Sequence, residues 1–351
     1  METMNDNRPE PRLSCYNGIP EGFADAKPSE IASVLPGPAI MHIEGERNPP
    51  LFVSALLHGN ETTGLLALQE LIRTLGLPVR RPPRSMVIFI GNIAATAKGV
   101  RRLEGEPDYN RIWNGGGMPE HRLARRVLDR VAAARPFAAI DIHNNTGKNP
   151  HYACINSTKP SFVHLARRFG KTIVYFTEPH EVISMALSRL CPSVTLECGR
   201  SGQSRGTSHV VDYLLHCLTM DPEELFSPPC NPHNKIYHTI AKIVVADDAD
   251  LVFDDRMQGA DICFREDIEG LNFVPLAPGT PLGHVHGNRL PLKIVDNDGM
   301  DMTDRYLRVE NGRIVTVEPA VPSMFTRDTA VIRQDCFGYL MEPYPPGRSS
   351  R

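Results

Sequence analysis

None of the eight cysteines (Cys15, Cys154, Cys191, Cys198, Cys217, Cys230, Cys263 and Cys336) stands in a CxxC pair. That excludes the paired-cysteine zinc sites, and several of the thiols lie in apolar runs, where they read as buried side chains in a reducing compartment. No apolar stretch approaches the 18 residues that a membrane-spanning helix needs. The opening residues, METMNDNRPEPRLS, lack the apolar core of a secretory leader, so a cytoplasmic location is the expectation. Charge of one sign is missing too: the formal net charge is −3 with both signs interspersed, which gives no support to nucleic-acid or membrane-surface binding. There is no internal repeat and no low-complexity tract. What remains, at 41% hydrophobic and 23% charged residues, is the make-up of a soluble globular protein.

The 351 residues allow one large domain or two of ordinary size. After Pro38, apolar runs at 39–44, 51–57, 86–91, 137–142, 152–156, 172–176 and 193–197 read as strands. Stretches at 62–75, 119–134, 160–169, 181–190 and 207–219 read as helices. Such alternation predicts an α/β sheet covered on both faces. Prolines, 31 in all, gather in connections such as Pro78 to Pro83 and Pro228 to Pro232. Beyond the break SPPCNPHNK come short β-like runs joined by Gly, Pro, Asn and Asp, and Asn311-Gly312 between two of them is a hairpin signal. The expected organisation is a domain over 1–225, its first 38 residues mostly irregular, and a β-rich domain over 226–351.

The chemistry begins in Leu-Leu-His-Gly-Asn-Glu-Thr-Thr-Gly, residues 56–64. His58 and Glu61 lie three apart where an apolar run gives way to helical spacing. An imidazole and a carboxylate at i and i+3 on one turn point the same way and grip one cation. A catalytic zinc takes three N and O ligands and keeps one position open. Asp141-Ile142-His143-Asn144, after a second apolar run, offers the third. His58, Glu61 and His143 are therefore expected to form a His₂Glu site for one Zn²⁺ per chain, with Asp141 orienting a ligand and Asn144 supporting the site. The spacing is not HExxH, so this is not the two-histidine helix of thermolysin-like proteases.

These two segments, with Asp108-Tyr109-Asn110-Arg111 and Val194-Thr195-Leu196-Glu197-Cys198-Gly199, resemble the succinylglutamate desuccinylase and aspartoacylase group of the wider zinc carboxypeptidase (M14-like) superfamily. The likeness spans roughly residues 40 to 215. It implies a three-layer α/β/α zinc-hydrolase domain with a mixed sheet, followed by a smaller β-rich domain. It also implies roles. His58, Glu61 and His143 match the family's metal ligands, and Glu197 matches its general base and acid. Asn110 and Arg111 match the pair that holds a substrate carboxylate, for which a planar guanidinium is well suited. The family arginine that polarises the scissile carbonyl would fall at Leu103, so a one-residue insertion is assumed and Arg102 is favoured over Arg101.

The chain departs from the family pattern twice. No tyrosine stands near Val295 to Asp301, the first being Tyr306, and the arginine expected about ten residues before Glu197 is absent, Arg189 lying eight before it. Both departures weaken N-acetylaspartate as substrate. His151 or Tyr152 could recognise substrate or simply open a strand. Gly202-Gln203-Ser204-Arg205-Gly206 fits G-x-S-x-G, but about six polar residues separate Ser204 from the preceding strand. Cys198 reads as a structural thiol, and Asp296 to Gly299 as a turn rather than a calcium loop.

The resemblance thus leads to a zinc-dependent amidohydrolase that cleaves a small N-acyl amino acid or similar carboxylate-bearing substrate, with metal-bound water as nucleophile. The alternatives are a zinc carboxypeptidase on short peptides, a serine esterase using Ser204, and a zinc-binding protein without turnover. The expected partner is the small-molecule substrate; a homo-oligomer is implied by the family alone.

Overall fold

A computed structural model describes residues 10–226, 235–254, 260–287 and 290–344. The proline-rich break at 227–234, with Cys230, lies outside the described residues. The chain divides into two compact units. Of the described residues, one takes those up to Asn144 and from His151 to Phe226; the other takes those from Lys235 onward together with a short excursion, Asn145–Pro150. The sequence had assigned those six residues to the first domain.

The first unit runs β1 (Ser14–Asn17), β2 (Ala39–Ile43), β3 (Leu51–Ala55), α1 (Thr63–Leu75), β4 (Met86–Ile90), α2 (Ile93–Ala97), α3 (Pro119–Ala134), β5 (Ala138–His143), β6 (Tyr152–Ile155), α4 (Pro160–Phe169), β7 (Thr172–Tyr175), α5 (Ile183–Leu187), β8 (Ser193–Glu197) and α6 (Ser204–Thr219). Its strands lie in the order β1-β2-β4-β3-β5-β8-β6-β7. The sheet is mixed: β2 meets β4 and β6 meets β8 antiparallel, whereas β4, β3, β5 and β8 run parallel.

The central strands are buried on both faces, so they read as near-continuous apolar runs. Side-chain alternation then divides them between two helical layers. Phe52, Val87, Phe89 and Ala139 pack with Leu123, Val127 and Val131 of α3 and with Ile183 and Leu187 of α5. On the opposite face, Gly64 of α1 lies so close to the sheet that a Cβ there would be 2.7 Å from the Cβ of Ala55 and 3.1 Å from that of Ile142.

Two elements were not legible. β1 is four residues of mixed polarity, SCYN, at the edge of the sheet beside β2. α2 is only five residues, too short for a helical period, and starts where Asn92 Oδ1 accepts from Ala95 N.

The second unit is β-rich. It comprises β9 (Lys235–Val245), β10 (Leu251–Phe253), β11 (Ile262–Phe264), β12 (Pro281–Val285), β13 (Leu292–Asp296), α7 (Thr303–Tyr306), β14 (Leu307–Glu310), β15 (Arg313–Thr316), β16 (Val321–Ser323), α8 (Thr329–Gln334) and β17 (Gly338–Pro343). β9 pairs antiparallel with both β13 and β17, and β10, β11, β12, β15 and β14 form a five-stranded sheet. Asn311 (φ 49°) and Gly312 (φ 76°) make the turn between β14 and β15, as the Asn-Gly pair predicts. Stacked Phe264, Phe337 and Phe325 rings, 4.1 and 4.6 Å apart, stand in its core. Among the described residues no helix is long and apolar enough to cross a membrane.

Gly64→Val should wedge α1 off the sheet, because both contacts at that point are side chains of rigid strands. A loss of about 1–3 kcal/mol is expected from overpacking, measured by denaturant unfolding; unchanged stability would contradict the close approach.

Candidate metal centre and active site

On the central strands β3, β5 and β8, polar residues gather toward the carboxyl ends. On the face shared with α3 and α5, β3 runs Phe52 then Ser54, β5 runs Ala139, Asp141 then His143, and β8 runs Ser193, Thr195 then Glu197. Register aligns them: Ser54 with Asp141, Asp141 with Thr195, and His143 with Glu197. The carboxyl ends of adjacent parallel strands are where α/β sheets place ligands.

His58 and Glu61 reach this edge from the turn between β3 and α1. The turn is tight. Leu56 adopts φ 59°, in the region that non-glycine residues avoid, and Gly59 packs directly on α2, where a Cβ would be 2.3 Å from Thr96 N. Gly59 N also donates to Arg101 O, tying this turn to the loop that carries Arg101 through Arg111. Asn144 closes the other side. Its N–H donates to Glu61 Oε2, its Oδ1 accepts from Thr63 N, and its Nδ2 donates to Thr63 Oγ1 and Gly199 O.

The outcome is one unbroken polar chain. Ser54 Oγ donates to Asp141 Oδ1 (2.7 Å), and Asp141 Oδ2 faces His143 Nε2 (2.7 Å). His143 Nδ1 faces Glu61 Oε2 (2.8 Å), and Glu61 Oε1 faces His58 Nδ1 (2.8 Å). His58 Nε2 faces Asp108 Oδ1 (2.9 Å), and Asp108 Oδ2 accepts from Arg101 Nη2 (2.8 Å) and Nε (3.1 Å). His58, Glu61, Asp141 and His143 are all buried. Burial would raise the Glu61 carboxyl, but the charges and hydrogen bonds of His58 and His143 outweigh it and hold Glu61 well below the usual carboxylate range. Burial likewise opposes Asp108, which His58, Arg101 and Arg111 hold low. For His143, burial pushes the imidazolium down, while Asp141 and Glu61 push it well above the ordinary value.

This donor set fits a divalent metal. Each Nε2 faces an aspartate and each Nδ1 faces Glu61, so neutral imidazoles that give their Nε2–H to the aspartates turn both Nδ1 lone pairs toward the same carboxylate. Acceptors facing acceptors need a proton or a cation between them. The ligand atoms of His58, Glu61 and His143 all lie within 4.8 Å of one another, close enough to gather on one ion with small side-chain adjustments. They are the only such group of three among the described residues.

The remaining candidates are placed as follows. Glu197 is buried at the end of β8, beside His143 in one direction and Tyr152 in the other. Neighbouring strands lie about 4.8 Å apart, so its side chain starts next to the centre and on the same face. Asn110 is buried; its Oδ1 accepts from Ile183 N, which turns Nδ2 toward His143 Nε2 at 3.5 Å. Arg111 donates from Nη1 to Asn110 O. The two arginines separate. Arg101 contacts Asp108 and comes within 3.7 Å of Glu61 Oε1, whereas Arg102 is exposed and donates to Glu106 O. The spacing favoured Arg102; the geometry brings Arg101 to the cluster.

Asp108 and Ser54 had been given no role. Ser54 is the one polar side chain in the run LFVSALL, and Asp108 opens the very Asp-Tyr-Asn-Arg segment that carries Arg111. The Cys154 and Cys198 thiols are pushed up by burial and by the nearby charge of Glu197, which disfavours the thiolate. His151 lies on the other face of β6, stacked with Phe169 and His209. Ser204 is the exposed first residue of α6, seven positions past the end of β8. Asp296 Oδ1 accepts from Asp298 N and Met300 N, an ordinary turn.

Residues 47–213 match the model of the succinylglutamate desuccinylase/aspartoacylase catalytic domain. That stretch, just under half of the chain, is similar to this family's catalytic domain. A succinylglutamate desuccinylase of Pseudomonas syringae pv. tomato is 37% identical over 89 residues, 24% of this chain and 25% of that relative. The match therefore spans only about a quarter of the length of that curated relative. Among solved structures, a succinylglutamate desuccinylase/aspartoacylase from Rhodobacter sphaeroides shares the fold at a TM-score of 0.56, with 16% identity over 88% of each chain. Murine aminoacylase 3 does so at 0.53, with 17% identity over 85% of this chain and 97% of the other.

Asp108→Asn and Asp141→Asn should each weaken zinc binding, since removal of such orienting carboxylates typically costs about 10- to 100-fold in metal affinity. Competition with a chromophoric chelator measures this; wild-type affinity in both variants would contradict the orienting role.

Proposed function

We propose that the protein is a zinc-dependent deacylase that hydrolyses the amide bond of a small N-acyl amino acid or a related carboxylate-bearing substrate. The observation that carries this reading is the arrangement just described: three buried donors converge on one point, both imidazoles are oriented from behind by aspartates, and a buried glutamate stands one strand away. A structural zinc site is usually closed by four protein ligands; a set of three leaves a position for chemistry.

When bound by His58, Glu61 and His143, zinc supplies an acidified water and a Lewis acid for the substrate carbonyl. Asp141 and Asp108 hold the Nε2 protons of the two histidines, so the ligand tautomers stay fixed through turnover. Glu197 takes a proton from the attacking water and returns it to the leaving nitrogen, within a buried environment suited to a carboxylate that must change charge. Arg101, held by Asp108, directs positive charge at the reacting oxygen. Arg111 binds the substrate carboxylate, and Asn110 contributes its Nδ2; together they align the amide for attack. The same centre would serve a carboxypeptidase, so the substrate decides between the readings. The exposed Ser204, far past its strand, does not fit the tight strand-to-helix elbow that a serine esterase requires.

A panel of N-acetyl, N-succinyl and N-formyl amino acids alongside dipeptides tests the proposal. Release of amino acid from N-acyl substrates, abolished by a chelator and restored by zinc, is expected. Hydrolysis of dipeptides alone would favour the carboxypeptidase, and activity that survives metal removal would refute both.

Glu197→Gln should retain zinc and lose about 10²- to 10⁴-fold in kcat, the usual share of general base catalysis. Near-normal turnover would exclude Glu197 from that role. Arg101→Ala should lower kcat/KM by at least tenfold while Arg102→Ala leaves it within about twofold, because only the first stands among desolvated charges. The reverse pattern would restore Arg102.

A further inference from the structure

The connection between β5 and β6 is six residues long, Asn145–Pro150, and these six belong to the second compact unit. They directly follow His143 and Asn144 and directly precede His151 and Tyr152, the register partner of Glu197. A segment that joins two strands of the candidate active site is therefore anchored in the C-terminal half of the chain.

The anchoring is specific. Asn272 is buried, and its side chain makes three hydrogen bonds: Oδ1 accepts from Phe325 N (2.8 Å), and Nδ2 donates to Phe325 O (2.9 Å) and to Lys148 O (3.2 Å). Asn149 Oδ1 accepts from Met324 N (3.0 Å). Gly147 lies so close to Phe325 that a Cβ there would be 2.0 Å from Phe325 O. Three successive residues of the connection are thus held against Asn272 and the Met324-Phe325 segment. Phe325 is itself fully buried and stacked on Phe337.

Backbone strain marks the same place. Phe273, next to Asn272, has φ 61°, and Met324, next to Phe325, has φ 63°. Non-glycine residues adopt this region only where their surroundings over-determine it, and such residues cluster at functional sites. Here both strained residues flank the hydrogen-bonded clasp.

We propose that Asn272 is a positioning residue for the metal centre: through the strap 147–149 it fixes the exit of β5 and hence the setting of His143 and Asn144. It does not touch the donors. The C-terminal unit thereby acts on zinc binding through the covalent chain. This inference rests on the reading of His58, Glu61 and His143 as metal ligands, and the test separates the two.

Zinc affinity of the full-length protein is measured by competition with a chromophoric chelator, together with thermal unfolding and, for cobalt-loaded protein, the visible d–d spectrum. Three variants loosen the strap from different sides: Asn272→Ala, Asn149→Ala and Gly147→Ala. Ile314→Val, in the core of the same unit but with no part in the hydrogen bonds that hold the strap, is the control. Expected is a tenfold or greater rise in the zinc dissociation constant and an altered cobalt spectrum in the strap variants, with the control at wild-type affinity despite reduced stability. If Asn272→Ala does not fold, the partly exposed Asn149→Ala decides by the same readouts. Wild-type affinity and spectrum in the folded strap variants would overturn the inference, as would an equal loss in the control. A wild-type protein that binds no zinc at all would instead overturn the metal reading itself.

Discussion

Two imidazole Nδ1 atoms facing one buried carboxylate form the constraint on which the rest depends. Nothing in an apolar interior tolerates that arrangement unless a proton or a cation lies between the groups. The surroundings are built to maintain it. Asp141 and Asp108 face the outer nitrogens of the two rings, Ser54 and Arg101 hold those aspartates in turn, and Asn144 fixes Glu61 from the backbone side. Removing any one partner leaves a buried polar group without its complement, so the chain of contacts is expected to behave as a unit rather than as independent bonds.

The fold explains how such a chain can be assembled from distant segments. Parallel strands β3, β5 and β8 deliver Ser54, Asp141, His143 and Glu197 to one edge in register. The turn after β3 adds His58 and Glu61, at the cost of a left-handed Leu56 and a glycine pressed against α2. The loop before α3 adds Arg101, Asp108, Asn110 and Arg111, and the bond from Gly59 N to Arg101 O links it to the turn that carries His58 and Glu61. Apolar packing by α3 and α5 fills the rest of that face, so the polar groups are confined to its rim.

Much of this was legible in the sequence, for identifiable reasons. Buried parallel strands leave near-continuous apolar runs, and the runs at 51–57, 137–142 and 193–197 each end in the residues that form the site. The convergence of His58, Glu61 and His143 was readable because a candidate metal site restricts both residue type and local spacing. Arg101 was not separable from Arg102, because a loop has no period and only its anchoring decides which of two adjacent side chains turns inward. Ser54 and Asp108 act through other residues, so no ligand rule singles them out. The strap at 145–150 was invisible for a different reason: its partners Asn272 and Phe325 lie more than a hundred residues away.

Anomalous diffraction at the zinc edge on zinc-loaded crystals tests the central claim most directly. The account predicts one strong peak per chain, about 2.0–2.1 Å from Nδ1 of both His58 and His143 and in contact with the Glu61 carboxylate, with Asp141 and Asp108 still on the Nε2 atoms. A peak bound through Nε2, a peak at other residues, or no peak under saturating zinc would contradict it.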